Sequence, residues 1–281
     1  MKKGLVLEGG AMRGLFTAGA LDLFLEKEIH FDGMIGVSAG ALFGCSYKSA
    51  QKNRSLRYNL KYCRDKRYAS LWSLFTTGDM YGSEFCYHTL PEKLDVFDYD
   101  TFKRDKTLFY CTCTEVASGK ARYFPIESCD RADMEKLRAG ASMPFLAREV
   151  KIGNESYLDG GIGDSIPLER FEIMGYEKNL VILTRPRDYV KKKSGAMKLL
   201  KPFLFNKPRL YEAIRDRYIH YNRALELIAK REKEGRVLVI APKAPLDIKK
   251  IERSEDKIRQ CWQAGYDAAE EELDRIISFL K

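Results

Sequence analysis

Short apolar runs closed by glycine alternate along this chain with longer stretches in which apolar residues recur every three or four positions. The first run, Lys3 to Glu8, predicts a buried strand. It leads into Gly9-Gly10-Ala11-Met12-Arg13-Gly14. Leu15, Ala18, Leu21 and Leu25 follow at helical spacing and predict a helix from Leu15 to about Lys27. A second apolar run, Met34 to Val37, is followed by a helix from about Ala39 to Ser49. Thr107 to Thr114 and Ala121 to Pro125 read as paired strands joined through the hairpin-like Ala117-Ser118-Gly119-Lys120. Asp130 caps a helix reaching Ala139, and Pro167 opens another that ends near Met174. Arg148 to Ile152, Asn179 to Thr184 and Arg236 to Ala241 are strand-like, and Tyr211 to Glu234 is a long helix. The tail, Ser254 to Leu280, reads as one amphipathic helix with Cys261, Ala264, Ala268, Leu273 and Ile277 facing inward.

Three stretches fit this alternation less well. Residues 51–69 are rich in Lys and Arg with Leu56, Leu60 and Cys63 interleaved, which predicts an amphipathic helix with a solvated cationic face. Residues 70–100 are aromatic-rich and are expected to form helical connections over the sheet. In Lys191 to Arg209 every charged residue is cationic, with Leu199, Leu200, Phe203, Leu204 and Phe205 among them. That composition suits an interfacial lid, a membrane-docking patch or a surface loop over the core.

Composition narrows the class. At 281 residues, 45% hydrophobic and 32% charged, the chain is long enough for one large α/β domain. Residues 1–281 are expected to be that domain, with a C-terminal helical addition from about 245. No run of eighteen uncharged apolar residues occurs, which argues against a transmembrane helix. Glu8 and Arg13 interrupt the apolar start, so a cleaved export signal is not expected and the cytoplasm is the expected location. The seven cysteines show no metal-ligand spacing and read as packed, reduced thiols. The net charge of +9 suggests an anionic partner. Basic and aromatic residues are not interleaved as in an RNA-binding sheet, so an anionic membrane surface, contacted peripherally, is favoured over nucleic acid.

The chemistry lies in three turns. Gly36-Val37-Ser38-Ala39-Gly40 places a serine between glycines where a strand turns into a helix, the pattern of a nucleophile elbow. Gly9 to Gly14 is a strand–loop–helix junction whose N–H groups could converge on an anion. Asp159-Gly160-Gly161 follows Tyr157-Leu158, and its two glycines leave the carboxylate unshielded in a tight turn. The first loop is also one residue from a dinucleotide-binding G-x-G-x-x-G, with Asp32 about twenty residues on. In that motif, however, the acid ends the second strand, whereas Asp32 precedes it.

In this order the three turns resemble the patatin-like phospholipase family, over about Lys3 to Pro167. The resemblance implies a three-layer α/β/α fold with a mostly parallel central sheet. It implies Ser38 as nucleophile and Asp159 as its base. The loop carrying Gly9, Gly10, Ala11, Arg13 and Gly14 would supply the oxyanion hole, and Gly36, Gly40, Gly160 and Gly161 would shape the two catalytic turns. Ser142-Met143-Pro144 matches the small-residue, proline-bearing segment before the D-G-[AG] turn. One departure is Ala11, which stands where the family has a third glycine. It is expected to serve through its N–H, provided that φ stays negative.

His30, His88 and His220 have no catalytic-looking neighbourhood, and too little chain precedes Ser38 for an ordinary Ser-Asp-His hydrolase. A Ser38–Asp159 dyad is more economical. It needs no metal or organic cofactor, and burial must raise the aspartate above its usual value near ~3.9. Arg13 is expected to order the loop or steady a substrate phosphate. The expected activity is cleavage of lipid carboxylic esters of the phospholipid or lysophospholipid class. The alternatives are a nucleotide-binding α/β domain using the first loop and a non-catalytic membrane-associated protein of the same fold.

Overall fold

Nearly every residue of β1 (Lys2–Leu7) and β2 (Gly33–Val37) is apolar or glycine, and beyond Lys3 both strands are buried on both faces. In a computed structural model, which describes residues 1–195 and 201–281, they pair in parallel at the centre of the sheet. The remaining strands are β3 (Leu108–Glu115), β4 (Ala121–Pro125), β5 (Val150–Ile152), β6 (Glu155–Asp159), β7 (Tyr176–Ile182) and β8 (Val237–Ile240). Their order is β5-β6-β3-β2-β1-β7-β8, with β4 paired to β3. The β3–β2–β1–β7–β8 pairs are parallel, whereas β4, β5 and β6 join antiparallel.

The helices are α1 (Gly14–Glu26), α2 (Ala39–Lys48), α3 (Arg54–Tyr62), α4 (Leu71–Thr77), α5 (Tyr99–Arg104), α6 (Arg131–Ala141), α7 (Leu168–Ile173), α8 (Pro208–Lys233), α9 (Glu255–Glu271) and α10 (Leu273–Leu280). A wider π-helical segment, Phe85–Leu94, carries Pro91. The strand period of two splits the apolar residues between two cores. Leu5, Leu7, Met34, Leu180 and Ile182 meet α1, α2, α6 and α9, while Val6, Ile35, Val181, Val237 and Val239 meet α7 and α8. Helices on both faces of a mostly parallel sheet make this a three-layer α/β/α fold.

The cationic stretch after Gln51 departs from expectation. Only Arg54–Tyr62 is helical, and Arg54 and Arg57 both pair with buried Asp95. These charges tie α3 to the segment before α5 and do not form one solvated face. The tail also differs: it breaks at Glu272, so the buried stripe runs Cys261, Gly265, Ala269, Ile276 and Leu280, and Ile277 is exposed. Of the Lys191 to Arg209 segment, residues 196–200 lie outside the described residues. Lys201–Leu204 is a 3₁₀ turn with Leu204 buried and Phe203 exposed. All seven cysteines are free thiols, and Cys111 and Cys113 share a face of β3, both reaching the Lys136 carbonyl.

Two features of this frame set the positions of the glycine-bearing turns. First, α1 and α9 cross at glycines. A Cβ on Gly19 would lie 1.9 Å from the Trp262 carbonyl oxygen, and one on Gly265 would lie 1.8 Å from that of Phe16. Second, β2 and β6 share one edge of β3. Val37 lies opposite Thr112 and Asp159 opposite Cys113, while β4 occupies the other edge at both positions. The C-terminal ends of β2 and β6 therefore meet head to head.

Candidate active site

That junction brings two of the three chemical turns together. Ser38 follows Val37 directly and begins α2 with φ +52° and ψ −124°, a strained conformation for a residue other than glycine. Close packing sustains it. A Cβ on Gly36 would sit 2.6 Å from the Ala41 N, and one on Gly40 would sit 2.7 Å from the Leu7 carbonyl oxygen. The Ser38 carbonyl accepts from Ala41 N at 3.0 Å, and its hydroxyl does not cap the helix it starts.

Asp159 ends β6. Its N–H donates to the Ser142 carbonyl at 2.8 Å, and its own carbonyl accepts from Thr114 Oγ1 at 2.8 Å. Gly160 lies so close to β3 that a Cβ would stand 2.1 Å from the Thr112 carbonyl oxygen. The Gly161 N–H donates to Asp159 Oδ1 at 2.8 Å, and the Ser38 hydroxyl faces the same carboxylate. The Asp159 side chain is buried, and burial pushes its carboxyl above the ordinary range. Arg217, Ser38 and the Gly161 N–H pull the other way. A carboxylate raised in this manner is a better proton acceptor than one in water.

The glycine-rich loop lies beside the serine, since a Cβ on Gly9 would be 3.0 Å from Ser38 Cβ. The loop is a short 3₁₀ turn, Ala11–Arg13, running into α1. Arg13 N–H donates to the Gly10 carbonyl at 3.1 Å, and Gly14 N–H reaches the Ala11 and Met12 carbonyls. The N–H groups of Gly10, Ala11 and Met12 open the turn and so find no partner within it. They are the loop's available donors for an oxyanion, and those of Arg13 and Gly14 are not. Ala11 has φ +49°, so the condition of a negative φ set on its role is not met. The turn imposes the left-handed conformation that a glycine would adopt without cost, and alanine bears it as strain.

The structure also shows residues that the motifs did not reveal. Glu8 is buried at the end of β1 and accepts from Thr184 N at 2.6 Å and from Tyr221 Oη at 2.8 Å. Arg217 lies over the Asp159 turn, with Nη2 2.9 Å from where a Cβ on Gly161 would be, and its Nε donates to Ser165 Oγ. Arg217, Tyr221 and Ile228 recur at helical spacing on α8, but that spacing does not reveal what the stripe faces.

On the opposite side, Ser38 opens into a cavity of about 120 Å³ lined chiefly by apolar and aromatic residues, among them Leu42, Phe43, Tyr58, Leu90, Met134 and Leu137. Asp32 is far from this chemistry in the fold. It receives Lys3 N at the other end of β1, so it cannot partner the glycine-rich loop as a nucleotide site requires. His88 lies by Glu92 and Glu135, not by Ser38.

Comparisons with known proteins show what the chain is similar to. A model of a domain of unknown function, DUF6363, matches residues 207–281. The uncharacterized protein YjjU of Escherichia coli is 27% identical over 188 residues, 65% of this chain and 52% of the relative. The probable lipid hydrolase 463L of Invertebrate iridescent virus 6 is 28% identical over 185 residues, 59% of this chain and 62% of the relative. The chain thus spans little more than half the length of these relatives. Among solved structures, VipD from Legionella pneumophila superposes with a TM-score of 0.48 at 11% identity, over 98% of this chain and 67% of that one. The model named patatin-like phospholipase matches residues 5–171, which hold all three turns and more than half of the sequence, and the chain belongs to that family.

Proposed function

We propose that the protein is a serine acyl hydrolase that cleaves lipid carboxylic esters of the phospholipid or lysophospholipid class. The observation that carries this is the Ser38 hydroxyl against an enclosed Asp159 whose carboxyl burial has raised. In this mechanism Ser38 Oγ attacks the ester carbonyl carbon while Asp159 takes its proton. Gly10 and Ala11 N–H groups hold the oxyanion. Asp159 returns the proton to the departing alcohol, leaving an acyl-serine. It then takes a proton from water, whose oxygen attacks the acyl carbon, and returns that proton to Ser38 Oγ as the acyl–Oγ bond breaks and the carboxylic acid leaves. The apolar cavity beside Ser38 suits an acyl chain. Oxyanion donors of this kind are worth about 3–4 kcal/mol of barrier each.

Peripheral membrane contact belongs to the same proposal. Phe145, at φ +66°, is half-exposed and meets Phe203 at a ring separation of 6.4 Å, and Phe205 is exposed nearby in sequence. Trp72 and Phe75 of α4 are exposed too, and α4 is tied to the Phe145 loop where Met80 N donates to the Leu146 carbonyl.

A fluorophosphonate probe tests the dyad directly. Wild type should be labelled and Ser38→Ala should not, with both retaining the same melting temperature. Labelling that persists in Ser38→Ala, or a wild type that never labels and hydrolyses no ester, removes the proposal. The second outcome would leave a non-catalytic protein of this fold.

A further inference from the structure

On the α8 side of the dyad, cationic side chains from separate segments gather around Lys191, with Glu8 among them. Arg13 comes from the glycine-rich loop, Arg185 and Lys191 from the stretch after β7, and Arg217 from α8. The Arg185 guanidinium lies 4.7 Å over the Tyr189 ring and Lys191 Nζ lies 4.6 Å over the Tyr221 ring. Those two rings meet edge to face at 5.8 Å, and Tyr221 Oη donates to Glu8. The backbone of Lys191 is pinned by Asn222, which accepts from its N–H and donates to its carbonyl. The group is therefore built and not a loose surface patch.

Its charge is not balanced within the protein. All four side chains are half-buried, and among the described residues none has a carboxylate oxygen within 4 Å. Elsewhere such pairing is the habit of this chain: Arg57 with Asp95, Arg122 with Glu115 and Arg231 with Glu172. The acids that face the group, Glu8 and Asp159, are both enclosed, and burial pushes both up toward their neutral forms. Burial and its cationic neighbours Arg217, Arg185 and Arg13 push Lys191 down to about 8. Stacking on tyrosine eases the desolvation of a cation without neutralising it. Four half-buried positive charges held this close repel one another, a loss that a bound anion would reverse.

We propose that Arg13, Arg185, Lys191 and Arg217 form a subsite for the phosphate group of the substrate, and that it selects a dianionic phosphomonoester over a zwitterionic headgroup. The inference rests on the hydrolase proposed above and adds the headgroup to it. The apolar cavity lies on the α2 face and the cations on the α8 face, with Ser38 and Asp159 between them. An ester bound across the dyad thus has its acyl chain on one side and its phosphate on the other. A phosphate of charge −2 matches the surplus. A choline headgroup would bring a fifth cation into the cluster.

Two lysophospholipids of equal chain length, one ending in phosphate and one in phosphocholine, supply the test, with p-nitrophenyl butyrate as an uncharged ester. Wild type should show at least a tenfold higher kcat/KM for the phosphate-ended lipid. The double variant Arg185→Gln/Lys191→Gln should bring that ratio close to one. Lys243→Gln, which removes a positive charge from an exposed pair with Glu271, should leave the ratio as in wild type. Calorimetry with glycerol 3-phosphate and inorganic phosphate on Ser38→Ala distinguishes a lipid headgroup from free phosphate. Binding of glycerol 3-phosphate that the double variant loses supports the subsite, and stronger binding of inorganic phosphate overturns the headgroup assignment. An active wild type with equal rates on both lipids, or a preference that survives the double variant, overturns the subsite alone. A wild type inert toward the butyrate ester yet binding glycerol 3-phosphate overturns the hydrolase and keeps the subsite. If it also fails to bind, both fall.

Discussion

Asp159 is buried, which disfavours its charged form, and its neighbours only partly compensate. Its carboxyl is raised in the fold, so in the window between the ordinary value and the raised one the folded protein binds more protons than the unfolded chain. Stability therefore falls as pH rises through that window, by about 1.4 kcal/mol for each unit of the rise. At neutral pH, Asp159→Asn should raise the melting temperature while abolishing ester hydrolysis. A variant that is inactive and also less stable would show that the carboxylate is held for structure. Activity, which needs the deprotonated form, should decline on acidification through a midpoint above the usual aspartate value. At this scale the three turns were legible because their order along the chain is far more specific than a serine between glycines alone. The conformation of Ala11 was not, since nothing in the letters Gly-Gly-Ala fixes the sign of a φ that the turn into α1 imposes. Glu8 and Arg217 were hidden for a different reason. Their roles depend on Tyr221, Thr184 and the Asp159 turn, which are remote in sequence.

Among the elements, α9 has more bearing on the site than its place at the end of the chain suggests. It crosses α1 at Gly19 and Gly265, and the Cys261 thiol approaches the Met12 and Arg13 carbonyls of the oxyanion loop at 3.9 Å. Asp22 of α1 receives Trp262 Nε1 at 2.7 Å, which fixes the crossing from the other side. Gly265→Val should cost about 3 kcal/mol, since the new side chain would collide with backbone that has no room to yield. That corresponds to a fall of roughly 6–12 °C in melting temperature. A melting temperature unchanged by this substitution would mean that the two helices do not cross here. The helical period of the tail was readable, but its inward face was misplaced after Glu272, because a break of one residue rotates everything beyond it. The cationic run after Gln51 was misread for a related reason. Composition suggested a solvated face, and the partner that draws Arg54 and Arg57 inward, Asp95, lies about forty residues away.

For the molecule as a whole, the proposed contact with an anionic lipid surface rests on the exposed aromatic residues and the net charge of +9. Among the described residues no helix is long and apolar enough to cross a membrane, so the contact would be interfacial. Sedimentation with vesicles containing anionic lipid should show binding that weakens as salt rises from about 50 to about 500 mM, where the screening length shortens. Phe203→Ser/Phe205→Ser should reduce vesicle partitioning by about tenfold, the loss expected when an apolar ring no longer enters the interface. Salt-independent binding, or equal partitioning of the double variant, would exclude this surface. The strand–helix order and the three turns were enough to anticipate the layered architecture. The sheet's junction was not, since neither β6 nor its shared edge with β2 follows from local pattern.

That junction has a consequence of its own. The proposed nucleophile, Ser38, lies one residue past the Thr112 rung and the proposed base, Asp159, lies on the Cys113 rung, so β3 acts as a ruler against which both are set. Adding one residue to β3 between those rungs would displace one catalytic strand end from the other by roughly 3.3 Å. Such an enzyme could keep its sheet, its cavity and its cations and still be silent, because its two reacting groups would no longer be in step.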